Sequence, residues 1–209
     1  FKTEETVDLV KWLRDYNVLS DANGKVRFYG MDFKAREKGI EVLALYIKKV
    51  DINNYNKIKI DLDFLSDKNN KVNFKNLENR ISIIEKVFTG NRYKYIKNSY
   101  EMEYEETYHL IEIYKQWLDY EKNAKVFNLR DKYMFENAKW VIESSKKYNE
   151  GKVIIIGHND HIQKGIALNA EGNRQLGYWL DNKYKEKYFN IGFEFSRGLF
   201  YSYDMNDGY

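Results

Sequence analysis

The stretch that most constrains this chain is KVIIIGHNDHI, residues 152–162. Four consecutive aliphatic residues, Val153 to Ile156, lie between Gly151 and Gly157. A short, β-branched, glycine-bounded run predicts a strand buried on both faces, with a buried helix as the alternative for so few residues. His158, Asn159, Asp160 and His161 follow at its carboxyl end. In open parallel sheets that end is where ligands collect. Two of the molecule's three histidines therefore sit where such a fold does its chemistry, while His109 lies in a helical stretch far away in sequence.

A second strand is predicted in KVRFYGMD, residues 25–32, ending at Gly30 with Asp32 at its exit. Before it, Thr3 caps an amphipathic helix with Val7, Val10, Leu13 and Tyr16 on its stripe. After it, a helix is predicted over 34–49. Between Asp51 and Asn123 no strand pattern appears. That region reads as polar loops at 53–56 and 66–70, a helix over 74–88 broken at Thr89-Gly90-Asn91, and a long helix over 99–123. It is expected to form a helical excursion or lid over one end of the sheet, or else plain helical packing. A helix over 129–148 leads into the central run. Farther on come a small-residue loop at 167–172, a helix capped by Asn173, and a hairpin made of YFNIGFEF, a Ser-Arg-Gly turn and LFYSYD. The expected fold class is α/β. It is one domain over 1–209 with a largely parallel central sheet flanked by helices, an inserted helical subdomain and a C-terminal β-hairpin.

Composition narrows the function. With 209 residues and 43% hydrophobic content the chain can bury a sizeable core. Thirty-five Lys and Arg against 32 Asp and Glu leave +3, too balanced to argue for nucleic acid or an anionic membrane surface. The absence of cysteine removes disulfides, thiolate metal sites and thiol nucleophiles. No apolar run approaches the roughly 20 residues that span a bilayer. The cytoplasm is the expected location, although the chain opens at Phe1 and a leader upstream would not be visible. A small molecule is the expected partner, and a second copy of the chain a further candidate. No cofactor is expected.

Among residues that could carry chemistry, His158 and His161 are the catalytic candidates. A neutral imidazole suits proton transfer at neutral pH, and a hydrogen-bonded structural histidine is the competing role. Asn159 between them offers an amide to orient a histidine or a substrate. Arg130 and Asn137 are seven apart and share one helix stripe; Arg130 serves either carboxylate recognition or a structural ion pair. Asp131 suits the first turn of its helix. Glu136 is either solvated or paired with Arg130. Asp32 leaves a strand where a site would lie, or caps the helix that follows. Asp32 and Asp160 are available beside the histidines as metal ligands, but no zinc spacing of the HExxH type occurs. No GxSxG, GxxxxGK[ST] or GxGxxG pattern occurs, which weighs against serine hydrolases, P-loop enzymes and dinucleotide enzymes.

VKWLRDYN, VRFYGMD, LRDKYMFENAKWVIE, KVIIIGHNDHI, LGYWLDNKYKEKYFNIGFEF and SRGLF together resemble the erythromycin esterase-like family, some members of which are labelled succinoglycan biosynthesis proteins. The resemblance implies a hydrolase in which a histidine activates water, without a required metal, to open an ester or lactone. It also implies a general base in a GExxHG segment and a catalytic glutamate on the following strand, neither of which is in this sequence. His158, Asn159 and His161 match the family's HNxH segment as a second catalytic or orienting element. Arg130, Asp131, Glu136 and Asn137 match RDxxMxEN, and Asp32 matches the Asp of GxD. A ligand-binding module that lacks the base and a metal-dependent hydrolase on the same fold are the alternatives.

Overall fold

The computed structural model describes residues 3–21, 24–69, 73–123, 127–148, 152–165, 174–194 and 196–197. It separates into two compact units, Phe1–Ile155 and Ile156–Tyr209. Regular structure among the described residues is helical throughout, with no strand. This overturns the expected parallel sheet and its flanking architecture.

The first unit contains α1 (Glu4–Leu19), a 3-10 turn at Phe33–Ala35, α2 (Arg36–Val50), α3 (Ile52–Ser66), α4 (Phe74–Gly90), α5 (Arg92–Lys97), α6 (Glu101–Lys122) and α7 (Phe127–Tyr148). The hydroxyl of Thr3 accepts from the Thr6 N–H and starts α1 as the sequence predicts. The core is a packing of α2, α3, α4 and α6. Ile40, Leu43 and Ile47 of α2, Ile58, Leu62 and Leu65 of α3, and Ile81, Ile84 and Phe88 of α4 belong to one buried cluster. These residues recur at three- and four-residue intervals, so each helix turns one apolar stripe inward. Phe88 sits among Tyr46, Tyr95, Tyr104 and Tyr108, with the Tyr104 ring stacked 4.7 Å away. The region 51–123 thus supplies most of the core.

The predicted loop at 53–56 is the first turn of α3. Buried Asp51 drives this, because its carboxylate accepts from the Asn54 N–H at 3.2 Å and pairs with Lys94 at 2.7 Å. The break expected at 89–91 falls at Asn91, whose side chain closes on the Val87 carbonyl.

The expected strands at 26–30 and 153–156 have no ladder partner among the described residues. Val153 and Ile155 are half-buried, but Ile154 is 88% and Ile156 60% exposed. The burial on both faces read from the aliphatic run is therefore absent. Branched residues between glycines report a preference for extended backbone, and a sheet also requires a neighbouring strand to take up the N–H and C=O groups.

The second unit holds α8 (Asn159–Ile162), α9 (Leu176–Tyr184) and a 3-10 turn at Lys185–Lys187. Gly177 lets α9 press onto the segment after α8. A Cβ there would stand 2.2 Å from the Ile162 carbonyl oxygen and 2.3 Å from that of Gln163. The first arm of the expected hairpin, 188–194, forms no strand. Its second arm, the loop at 167–172 and the Asn173 cap lie outside the described residues.

Candidate functional site

Helix α7 organises the candidates of the first unit. Arg130 donates to Asp32 through Nη2 at 2.7 Å and Nε at 3.3 Å. Asn137, two turns on, donates from Nδ2 to the Met31 carbonyl at 2.9 Å. The seven-residue spacing therefore grips two adjacent residues, Met31 and Asp32, of the segment that leads into α2. Asp32 stands at the N-cap of the 3-10 turn but makes no capping bond, since its carboxylate goes to Arg130. Burial opposes the charge on Arg130, but the hydrogen bonds and charge of Asp32 outweigh it and raise the guanidinium pKa. The other Asp32 oxygen, Oδ1, is buried with no hydrogen-bond partner among the described residues. Asp131 is buried. Glu136 pairs with Lys139 at 3.4 Å and not with Arg130.

Three residues of this cluster escaped the sequence reading. Gln116 of α6 exchanges two amide hydrogen bonds with Asn137, both 2.9 Å. His109, seven residues earlier on the same stripe of α6, stacks on Trp140 at 4.1 Å with ring planes 5° apart. Burial lowers the His109 pKa to about 4, against a smaller opposing effect from Asn137, so the ring is neutral at pH 7. Its Nε2 is buried without a partner among the described residues. A cleft of about 680 Å³ opens beside it, lined by Tyr29, Leu45, Glu106, Leu110 and Trp140 among others. Glu106 holds the cleft's edge by accepting from Arg27 at 3.0 Å and Tyr29 at 2.6 Å. The available signal was the pairing of polar residues 109 and 116 with 137 and 140 at helical spacing, which needs the α6–α7 contact to be interpretable.

The second unit carries the HNxH residues on a single short turn. His158 is the N-cap of α8, and its Nδ1 faces Asp160 twice, at 3.3 Å from the backbone N–H and 3.3 Å from Oδ2. One nitrogen can thus accept from the amide or, when protonated, donate to the carboxylate. Either arrangement orients the ring; with Nδ1 accepting, neutral Nε2 carries the proton as a donor, and with Nδ1 donating, Nε2 is free as a base. The His158 side chain is 74% exposed. His161 is half-buried one turn on. Asn159 turns its amide to the backbone of Phe193, donating to its carbonyl at 2.7 Å and accepting from its N–H at 3.2 Å. Among the described residues, no group of three or more His, Asp or Glu side chains is placed to hold a metal ion.

Comparison with known proteins gives one family. The family model described as erythromycin esterase matches residues 1–208. A solved protein from Bacillus cereus is 26% identical, with a TM-score of 0.72, over 92% of this chain and 49% of its own. A succinoglycan biosynthesis protein is similar in fold at 17% identity and TM-score 0.66, over 91% and 48% of the two chains. A mutant erythromycin esterase in its open conformation matches at 16% and 0.60, over 87% and 50%. This chain spans about half the length of each. Among curated proteins there is no match.

Proposed function

This chain belongs to the erythromycin esterase family, and on that premise we propose that it carries part of the active site of a hydrolase that opens an ester or lactone by histidine-assisted attack of water. Membership suggests a hydrolase, and the ester or lactone as its bond is what the family resemblance implies. The observation that carries it is the His158–Asp160 contact, in which a carboxylate and a backbone amide meet the same imidazole nitrogen. Of the two, the carboxylate suits the role: with Nδ1 protonated and donating to Asp160, the ring is oriented with its Nε2 lone pair free to take a proton. His158 serves as the second catalytic or orienting imidazole, beside the base that the resemblance places in a GExxHG segment. His161 lies on the same turn as a second imidazole for orienting substrate.

Turnover of a panel of aryl esters and macrolide lactones by the longest natural form of the protein, with and without chelator, tests this. Chelator-insensitive hydrolysis is expected, falling at least about 100-fold in His158→Ala while the helical circular dichroism is retained. Full activity in that variant would remove His158 from the mechanism. Loss of activity with chelator would point to a metal-dependent reaction, and no turnover on any ester would leave a ligand-binding role.

A further inference from the structure

Helix α8 is a single turn, with His158 as its N-cap and His161 inside it. A helix that short does not hold itself, because one turn leaves the cost of nucleation unrecovered and its carbonyls without intrahelical donors. Donors to its last carbonyl come from the YFNIGFEF segment. Tyr188 donates its hydroxyl to the Ile162 carbonyl at 2.6 Å, and the Asn190 amide donates to the same oxygen at 3.3 Å. Both lone pairs of that oxygen are thereby occupied. Tyr188 has extended backbone, and the half-buried Tyr188 and Asn190 alternate with Phe189 and Ile191, 82% and 60% exposed. That alternation sets both donors on one side of the segment, towards the turn.

Ile162 is bonded in turn to the backbone of the histidines. Its N–H and that of His161 both donate to the His158 carbonyl, at 3.3 and 2.9 Å. Burial and the charge of Asp181 raise the Tyr188 pKa, so its hydroxyl stays a donor throughout the neutral range. Lys164 lies 5.5 Å over the Tyr188 ring and pairs with Asp181 at 3.1 Å. We infer that Tyr188, with Asn190 beside it, is a positioning residue for the histidine turn: its hydroxyl fixes the Ile162 carbonyl and, through that peptide, the imidazoles of His158 and His161. The inference rests on the hydrolytic role proposed for that turn.

With three histidines, the ring-nitrogen NMR spectrum of the 209-residue chain is simple to assign, and its signals report which nitrogen carries the proton. In Tyr188→Phe, which removes one oxygen and keeps the ring, the His158 and His161 signals are expected to move towards those of free imidazole, with His109 of the first unit unchanged. Phe189→Ala, on the outward side, is expected to move none of them. If Tyr188→Phe melts the second unit, seen as collapse of its backbone signals to random-coil positions, Asn190→Ala, which loses the longer of the two bonds, is read in the same way. In the longest natural form, Tyr188→Phe is expected to lower kcat at least about tenfold with KM unchanged. Two results would overturn the inference: ring signals of His158 and His161 that stay in place, or an active enzyme whose kcat is unchanged. Absence of ester turnover in the unchanged protein would count against the hydrolase reading and leave the ring signals to decide the positioning.

Discussion

At the scale of single residues, the pair Asp32–Arg130 and the ring of His109 make opposite predictions about charge. Asp32→Ala strands a half-buried guanidinium and is expected to cost about 1–2 kcal/mol in urea unfolding, with Asp32→Asn costing less because a hydrogen bond survives. His109 is held neutral, its folded pKa of about 4 lying below the ordinary value of 6.5. The unfolded chain therefore binds the extra proton first as pH falls. Stability from this group is complete above pH 6.5 and is lost on acidification towards pH 4, amounting to at most about 3 kcal/mol. Subtracting the pH dependence of His109→Gln from that of the unchanged protein isolates it; a difference flat from pH 7 to 4 would refute the assignment. Gly177→Ala pushes a methyl into two carbonyls and is expected to cost about 1–3 kcal/mol and raise hydrogen exchange in α8 and α9. Arg130 and Asn137 were legible beforehand because a seven-residue interval is a property of one helix. His109 was not, because its role depends on which face of α6 meets α7.

At the scale of elements, local chemistry was readable and pairing was not. The helices α1, α2, α4, α6 and α7 follow from caps and apolar intervals that lie within about twenty residues. The strand of 153–156 was inferred from β-branched content and that of 26–30 from Val26, Phe28 and Tyr29 before a glycine, and neither signal says whether a neighbour is present. The loop expected at 53–56 failed for a related reason, since the asparagines there favour turns in isolation and the buried Asp51–Lys94 pair decides for helix. Two measurements separate the helices by their packing. Amide exchange in α1 of the isolated chain should approach fraying rates, while α2 and α6 are protected to the global limit. Phe88→Ala, removing a ring enclosed by four tyrosines, should cost about 3–5 kcal/mol in denaturant unfolding.

At the scale of the whole molecule, the helical first unit and the smaller second unit each carry a share of the candidate residues. No helix among the described residues is long and apolar enough to cross a membrane. Their irregular segments share one device. Asn17 grips Val26, and Asn159 grips Phe193, each by presenting a donor and an acceptor to one residue's backbone. A ladder fastens a segment along its length, whereas an amide of this kind works as a rivet. Sliding past it breaks two bonds at once. The backbone of Phe193 is thereby held in register beside the histidine turn, and Asn159→Asp, which sets a carboxylate oxygen against the Phe193 carbonyl in place of the donor, is expected to release it.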